Sequence, residues 1–212
     1  MRAEAESKAA AEAPAVSIEV PARSITVRDG GDPLACELCL DALRAAVEWA
    51  RGQIRRDREN RYSLLRDWPL PAARCSFWPA SVPAWESPLL RIVRNAPGVV
   101  SVTVKAYRST SDNNVCDGAT LSPDNIPGIL PAALFHDPWY CRVKGDGAKQ
   151  YELLADALGV PRREARKFGD ALFYAIARAG GCPRLVAWAY YVGIRIGYPL
   201  VAPFLSKEEV EP

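Results

Sequence analysis

The sequence predicts a mainly α protein, with a helical C-terminal domain preceded by a small α+β N-terminal region. In the C-terminal part, Pro131, Pro161 and Pro183 each stand where a helix can open, and Gly180-Gly181 and Gly197 stand where two of those helices can close. Further upstream, Val100, Val102, Val104 and Ala106 alternate with Ser101, Thr103 and Lys105, the period of a half-buried strand over Val99 to Tyr107. The chain has 212 residues, 49% hydrophobic and 25% charged, enough to bury a core and too apolar for a disordered chain.

Residues 1–16 read as a polar tail, an Ala/Glu stretch up to Pro14 without the apolar run of a secretory signal. That places the chain in the cytoplasm at synthesis and makes its six cysteines reduced thiols. Cys36 and Cys39 form a Cys-x-x-Cys pair, but no second pair follows and the single histidine, His136, is remote in sequence. Two small apolar residues on one helix face explain the pair better than a zinc or redox site. Residues 17–107 form a mixed region. Ser17 to Val20 and Ser24 to Val27 look like strands, closed by a turn over Arg28 to Pro33. A helix from Leu34 to Arg58 follows, with Leu38, Ala42, Ala45 and Trp49 spaced to share a face. Arg51, Arg55, Arg56, Arg58 and Arg61 are interleaved with Asp57 and Glu59, a solvated face; with a net charge of only +2, no specific nucleic-acid partner is expected.

Within that region, Trp68 to Pro88 carries five prolines and should run extended. It packs either on the protein's own surface or, through Trp68, Trp78 and Trp85, on a partner chain or a lipid interface. Residues 108–205 hold the chemistry. Their last apolar stretch, Leu185 to Leu205, has Arg195 at its centre, which would cost about 3 kcal/mol in a bilayer. Pro199 and Pro203 interrupt it further, so it reads as a terminal helix ending near Gly197 and not as a transmembrane span.

With one histidine in the chain, an imidazole base has to be His136. From Phe168 to Ala177 the only charge is Asp170, and a carboxylate in such surroundings needs a partner. His136 is the obvious one, because a carboxylate on one ring nitrogen sets the tautomer and leaves the other as base. Tyr140 stands one turn beyond His136 if the helix from Pro131 continues. In the loop Ser109 to Pro127, the stretch Cys116 to Asn125 offers hard oxygen donors and a glycine, so with Asp137 it could hold Ca²⁺. An Asx-type turn with capping side chains is the other reading of the same composition.

Taken together, these blocks resemble the prokaryotic phospholipase A₂ family. The likeness runs through Asp117-Gly118-Ala119-Thr120-Leu121-Ser122-Pro123-Asp124-Asn125, the Pro127-Gly128 turn and His136-Asp137-x-x-Tyr140. It continues in Gly169-Asp170-Ala171-Leu172-Phe173-Tyr174, Ala187-Trp188-Ala189-Tyr190-Tyr191 and Ile194-Arg195-Ile196-Gly197, covering roughly residues 115–198. The resemblance implies a phospholipase A₂-like helical domain with a metal-binding loop, acting on a phospholipid acyl ester at a membrane surface with Ca²⁺ as cofactor. By the same likeness, His136 deprotonates the attacking water, Asp170 orients His136, and Tyr140 bonds Asp170. Asp117 and Asp137 would ligate Ca²⁺ through carboxylates, and Gly118 through its carbonyl. Three departures stand out. The family's disulfide positions fall on Ala119 and Ala133, about a hundred residues replace a signal peptide at the N-terminus, and Pro138 directly follows His136-Asp137. Pro138 lacks an amide hydrogen and is expected to kink the helix between His136 and Tyr140. The chain also resembles a phage-encoded family of unknown function with the same order of blocks. That likeness implies a structural or assembly protein of a phage tail, baseplate or neck, docking through Trp68, Trp78 and Trp85 and keeping the phospholipase-like fold without turnover.

Overall fold

A computed structural model describes residues 24–29, 32–58, 61–110, 115–116, 126–143, 147–197 and 209–210. Its organising element is the helix α4 (Arg162–Ala179), which follows the extended Pro161 and stops at Gly180. Phe168, Leu172, Phe173 and Ile176 are buried along it, each contributing about 1.5–3 kcal/mol by leaving water. Around α4 pack α1 (Leu40–Arg51), α2 (Ile129–Tyr140), α3 (Gln150–Leu158) and α5 (Arg184–Val192), the last continued by a π-helical turn, Gly193–Gly197. The helices opened by Pro161 and Pro183 therefore stand where proline and glycine punctuation puts them. By contrast, α3 has no counterpart in the sequence reading, although Tyr151, Leu154, Ala155 and Leu158 carry the helical spacing and are buried.

Two glycine contacts bring α2 close to α4. Gly128, at φ +81°, precedes α2, and a Cβ there would meet the Ala177 carbonyl oxygen at 2.3 Å. A Cβ on Gly180 would come within 2.4 Å of the Gly128 Cα, so backbone packs on backbone where the two helices meet. Farther along, a Cβ on Gly169 would fall 2.3 Å from the Trp139 indole nitrogen.

Most of the other described elements belong to one sheet. The hairpin β1 (Ser24–Asp29) and β2 (Asp32–Cys39) opens it, with Ser24 opposite Cys39 and Asp29 opposite Asp32. After α1 come a small separate hairpin, β3 (Ile54–Arg56) with β4 (Tyr62–Leu64), and the short strands β5 (Trp68–Pro69), β6 (Ala73–Arg74) and β7 (Ala84–Glu86). The long pair β8 (Leu90–Ala96) and β9 (Val99–Val104) forms the centre. The sheet is antiparallel and seven-stranded, in the order β1-β2-β6-β9-β8-β7, with β5 also on β9. In β9, Val100, Val102 and Val104 are buried as their alternation predicts, and Leu90 and Ile92 face Val104 and Val102 across the ladder. The alternation stops at Ala106, which is exposed and donates its amide to Asp67. Far down the chain, β10 (Arg142–Val143) pairs in parallel with β11 (Glu209–Val210).

The architecture is thus α+β, with more sheet than the mainly α expectation allowed. The expected helix over Leu34 to Arg58 is shorter: residues 32–39 are strand and α1 begins at Leu40, so Cys36 lies in β2 and not on a helix. Cys39 is the N-cap of α1, its sulfur accepting from the Ala42 amide at 3.4 Å. The buried face of α1 is Leu43, Val47 and Ala50, while Ala42, Ala45 and Trp49 are exposed. Both triplets have helical spacing, and the one with two branched aliphatic side chains is turned inward. The expected strand over Ser17 to Val20 lies outside the described residues. Trp68 and Trp78 are buried in the protein's own core, and the Trp78 indole donates to the Val82 carbonyl at 2.8 Å. That closes them as docking residues and leaves Trp85 half-buried. The prolines shorten the local strands to two or three residues without excluding the segment from the sheet. Residues 17–107 and 108–205 share one hydrophobic cluster: Phe77 meets Phe168 edge-on at 5.7 Å, and Arg51 donates to the Gly180 carbonyl at 2.7 Å. No helix among the described residues is long and apolar enough to cross a membrane.

Gly169 gives a clean test of the α2–α4 contact. Helix propensity alone would make Gly169→Ala stabilising by about 1 kcal/mol. The buried Trp139 ring stands in the way, and overpacking at such a site costs about 1–3 kcal/mol. Gly169→Ala should therefore lower the urea midpoint; a midpoint at or above wild type would show that the helices can move apart freely.

Candidate active site

The site forms where α2 lies along α4. His136 and Tyr140 stand one turn apart on α2 and so present side chains to the same strip of α4, where Asp170 is fully buried. The Asp170 Oδ1 lies 3.2 Å from the His136 Nε2 and accepts the Tyr140 hydroxyl at 2.7 Å. The expected kink at Pro138 does not separate them: α2 runs through Pro138 to Tyr140, and both side chains reach the same oxygen. The second carboxylate oxygen, Oδ2, accepts from the Arg195 Nη1 at 3.2 Å and has the Arg166 Nε at 3.7 Å. Arg166 in turn donates through Nη2 to the Arg195 carbonyl at 2.8 Å, so α4 holds both the charge and the backbone of the π-helical turn.

Burial on its own would push Asp170 upward. Hydrogen bonds from His136, Tyr140 and Arg195, with the His136 charge, outweigh it and hold the carboxyl below the usual carboxylate range. Asp170 is therefore an ionised acceptor facing Nε2, an arrangement that favours a proton on that nitrogen and, in a neutral imidazole, a lone pair on Nδ1. Tyr140 is pushed well above the ordinary tyrosine range, first by burial and then by the Asp170 charge, and stays a donor. Aromatic rings confine the imidazole: Tyr140 at 4.4 Å and Phe173, edge-on, at 5.3 Å between centroids. Only 8% of His136 is exposed, so whatever the imidazole acts on has to approach a nearly closed site.

Of the expected metal ligands, Asp137 is half-buried at the end of α2, near the Tyr107 hydroxyl. Asp117 and Gly118 lie outside the described residues. The two residues just before them, Val115 and Cys116, are tied to Ser109. Ser109 donates its hydroxyl to the Tyr62 carbonyl at 2.7 Å and accepts the amides of Val115 and Cys116 at 3.3 and 3.2 Å. Cys116 also lies within hydrogen-bonding range of Tyr107, so this stem and Asp137 share one neighbourhood. Among the described residues no group of three or more His, Cys, Asp or Glu could hold a metal ion. The five cysteines with described side chains are free thiols.

Arg166 and Arg195 were not assigned to the site from sequence, though each left a signal. Arg166 is four residues before Asp170 on one helix, the spacing of an ion pair, and Arg195 is a lone cation in an apolar run.

Asp170→Asn keeps the shape but leaves two guanidinium groups without their counter-charge, which should cost about 3 kcal/mol in chemical denaturation. The pH dependence has a definite sign. Asp170 binds its proton more weakly folded than unfolded, so its stabilising contribution is complete above the usual carboxylate range. It is lost as pH falls through that range toward the folded value. Wild type should accordingly lose more stability on acidification than Asp170→Asn; parallel pH profiles would contradict the assignment. No family model, no curated protein and no solved structure matches this chain, and its chemistry is read from these residues.

Proposed function

We propose that the protein is a Ca²⁺-dependent ester hydrolase of phospholipase A₂-like type, in which His136 activates water against an acyl ester of a phospholipid. One observation carries the reading: a single imidazole held by a buried carboxylate through Nε2, with the same oxygen tied to Tyr140. That arrangement suits general-base catalysis. A water proton passes to Nδ1 as the water oxygen bonds to the ester carbonyl carbon, and Asp170 stabilises the imidazolium that results. When the tetrahedral species collapses, the carbon–oxygen bond to the alcohol breaks and the Nδ1 proton goes to the departing oxygen. The products are a carboxylic acid and an alcohol.

The Asp137 carboxylate, placed near the stem that leads into Asp117 and Gly118, fits a hard divalent cation with oxygen donors. Those three residues would hold Ca²⁺, which supplies positive charge for a substrate phosphate and a developing oxyanion. The outward face of α5 and the turn after it supports a lipid substrate. Leu185, Trp188 and Ile196 are 80%, 57% and 63% exposed. From Gly181 to Gly197 the only charged residues are Arg184 and Arg195, so this face has no acidic group to repel an anionic membrane surface.

Phospholipid vesicles incubated with the purified protein should release fatty acid in the presence of Ca²⁺, and His136→Ala should reduce the rate by about 10²–10⁴. Release that survives either a chelator or the His136→Ala substitution would sink the assignment.

A further inference from the structure

We propose that Tyr107 is a positioning residue for His136, its hydroxyl standing in for the amide hydrogen that Pro138 cannot supply. Pro138 lies inside α2, and the carbonyl it leaves without a helical donor is that of Leu134, four residues earlier. Leu134 is fully buried, where an orphaned carbonyl would cost about 1–3 kcal/mol. The Tyr107 hydroxyl donates to that oxygen at 3.3 Å. Tyr107 is itself held firmly: its amide and carbonyl both pair with Leu64, each at 3.0 Å, and the residue is 8% exposed. A fixed donor from the sheet side thus replaces a missing one within the helix.

The consequence lies two residues away from the repair. His136 and Tyr140 share the Asp170 Oδ1 only because the turn between them keeps its helical geometry. Without a donor on Leu134, water or a kink would take the carbonyl, the residues flanking Pro138 would splay, and one of the two bonds to Oδ1 would open. Tyr107 reaches no reacting atom. It acts through the Leu134 carbonyl and the helix.

The inference rests on the assignment of His136 as base, but its test does not depend on turnover. Because the chain has one histidine, nitrogen-15 and proton spectra show the imidazole of His136 alone. Wild type should show a slowly exchanging Nε2 proton and nitrogen shifts of a single tautomer. Tyr107→Phe, which removes only the hydroxyl, should lose that proton resonance and move both nitrogen signals. Tyr107→Phe combined with Pro138→Ala gives Leu134 a peptide donor again and should recover the wild-type spectrum, a rescue that a general packing role of the ring would not produce. A wild type lacking the resonance, a wild-type spectrum in Tyr107→Phe, or a double variant as perturbed as the single one would each overturn the proposal. Should Tyr107→Phe fail to fold, the double variant decides: folded with wild-type imidazole signals supports it, anything else overturns it. A protein that hydrolyses no lipid would end the proposed activity and leave these spectra unchanged.

Discussion

A carboxylate with no access to water governs how the helical part of this protein is put together. Asp170 can be ionised at zero exposure only if its lone pairs are filled, and the donors come from two places, His136 and Tyr140 on α2 and Arg195 in the turn after α5, with Arg166 on α4 itself adding a nearby positive charge. Each donor fixes a distance between its own element and α4. Had α2 sat farther from α4, the imidazole and the phenol would not reach. The glycines at Gly128, Gly180 and Gly169 supply that closeness, since a side chain at any of them would push the two helices apart. Packing and electrostatics make the same demand here.

The sheet contributes to the site without touching the imidazole. Its long strand pair, β8 and β9, carries the chain toward Tyr107 and Ser109, the first on the Leu134 carbonyl and the second on the stem before Asp117. The N-terminal half is therefore more than an addition to a helical domain. It braces the two segments on which the proposed chemistry depends, and among the described residues one hydrophobic cluster runs through both halves.

Much of the site was legible in the sequence because its chemistry is scarce there. One histidine, one charge in an apolar helix and a tyrosine one turn from the histidine leave few ways to combine, and the structure brings the three together. What escaped was what depends on distance. Arg195 is a lone cation in an apolar run, and nothing local says that a carboxylate on another helix receives it. Pro138 announced a broken helix, but the donor that mends it comes from Tyr107, thirty-one residues away. The fold shows the same division. Strand β9, the ends of α4 and the start of α5 follow from alternation and from Pro and Gly, which are local signals, whereas α5 stops at Val192 and gives way to a π-helical turn before the expected Gly197. The start of α1 and its inward face do not, because residues 34–39 suit either state and only pairing with β1 and β6 makes them strand.

The grip of Arg166 on the turn after α5 has a consequence for the end of the chain. Through Nη2 it holds the Arg195 backbone, while the Arg195 guanidinium reaches Asp170. The final described helix thus delivers a counter-ion as well as apolar surface. Proteolytic cleavage in the Gly193–Gly197 turn would therefore injure more than a surface appendage: it would strip a positive charge from the interior and leave the acid there under-compensated.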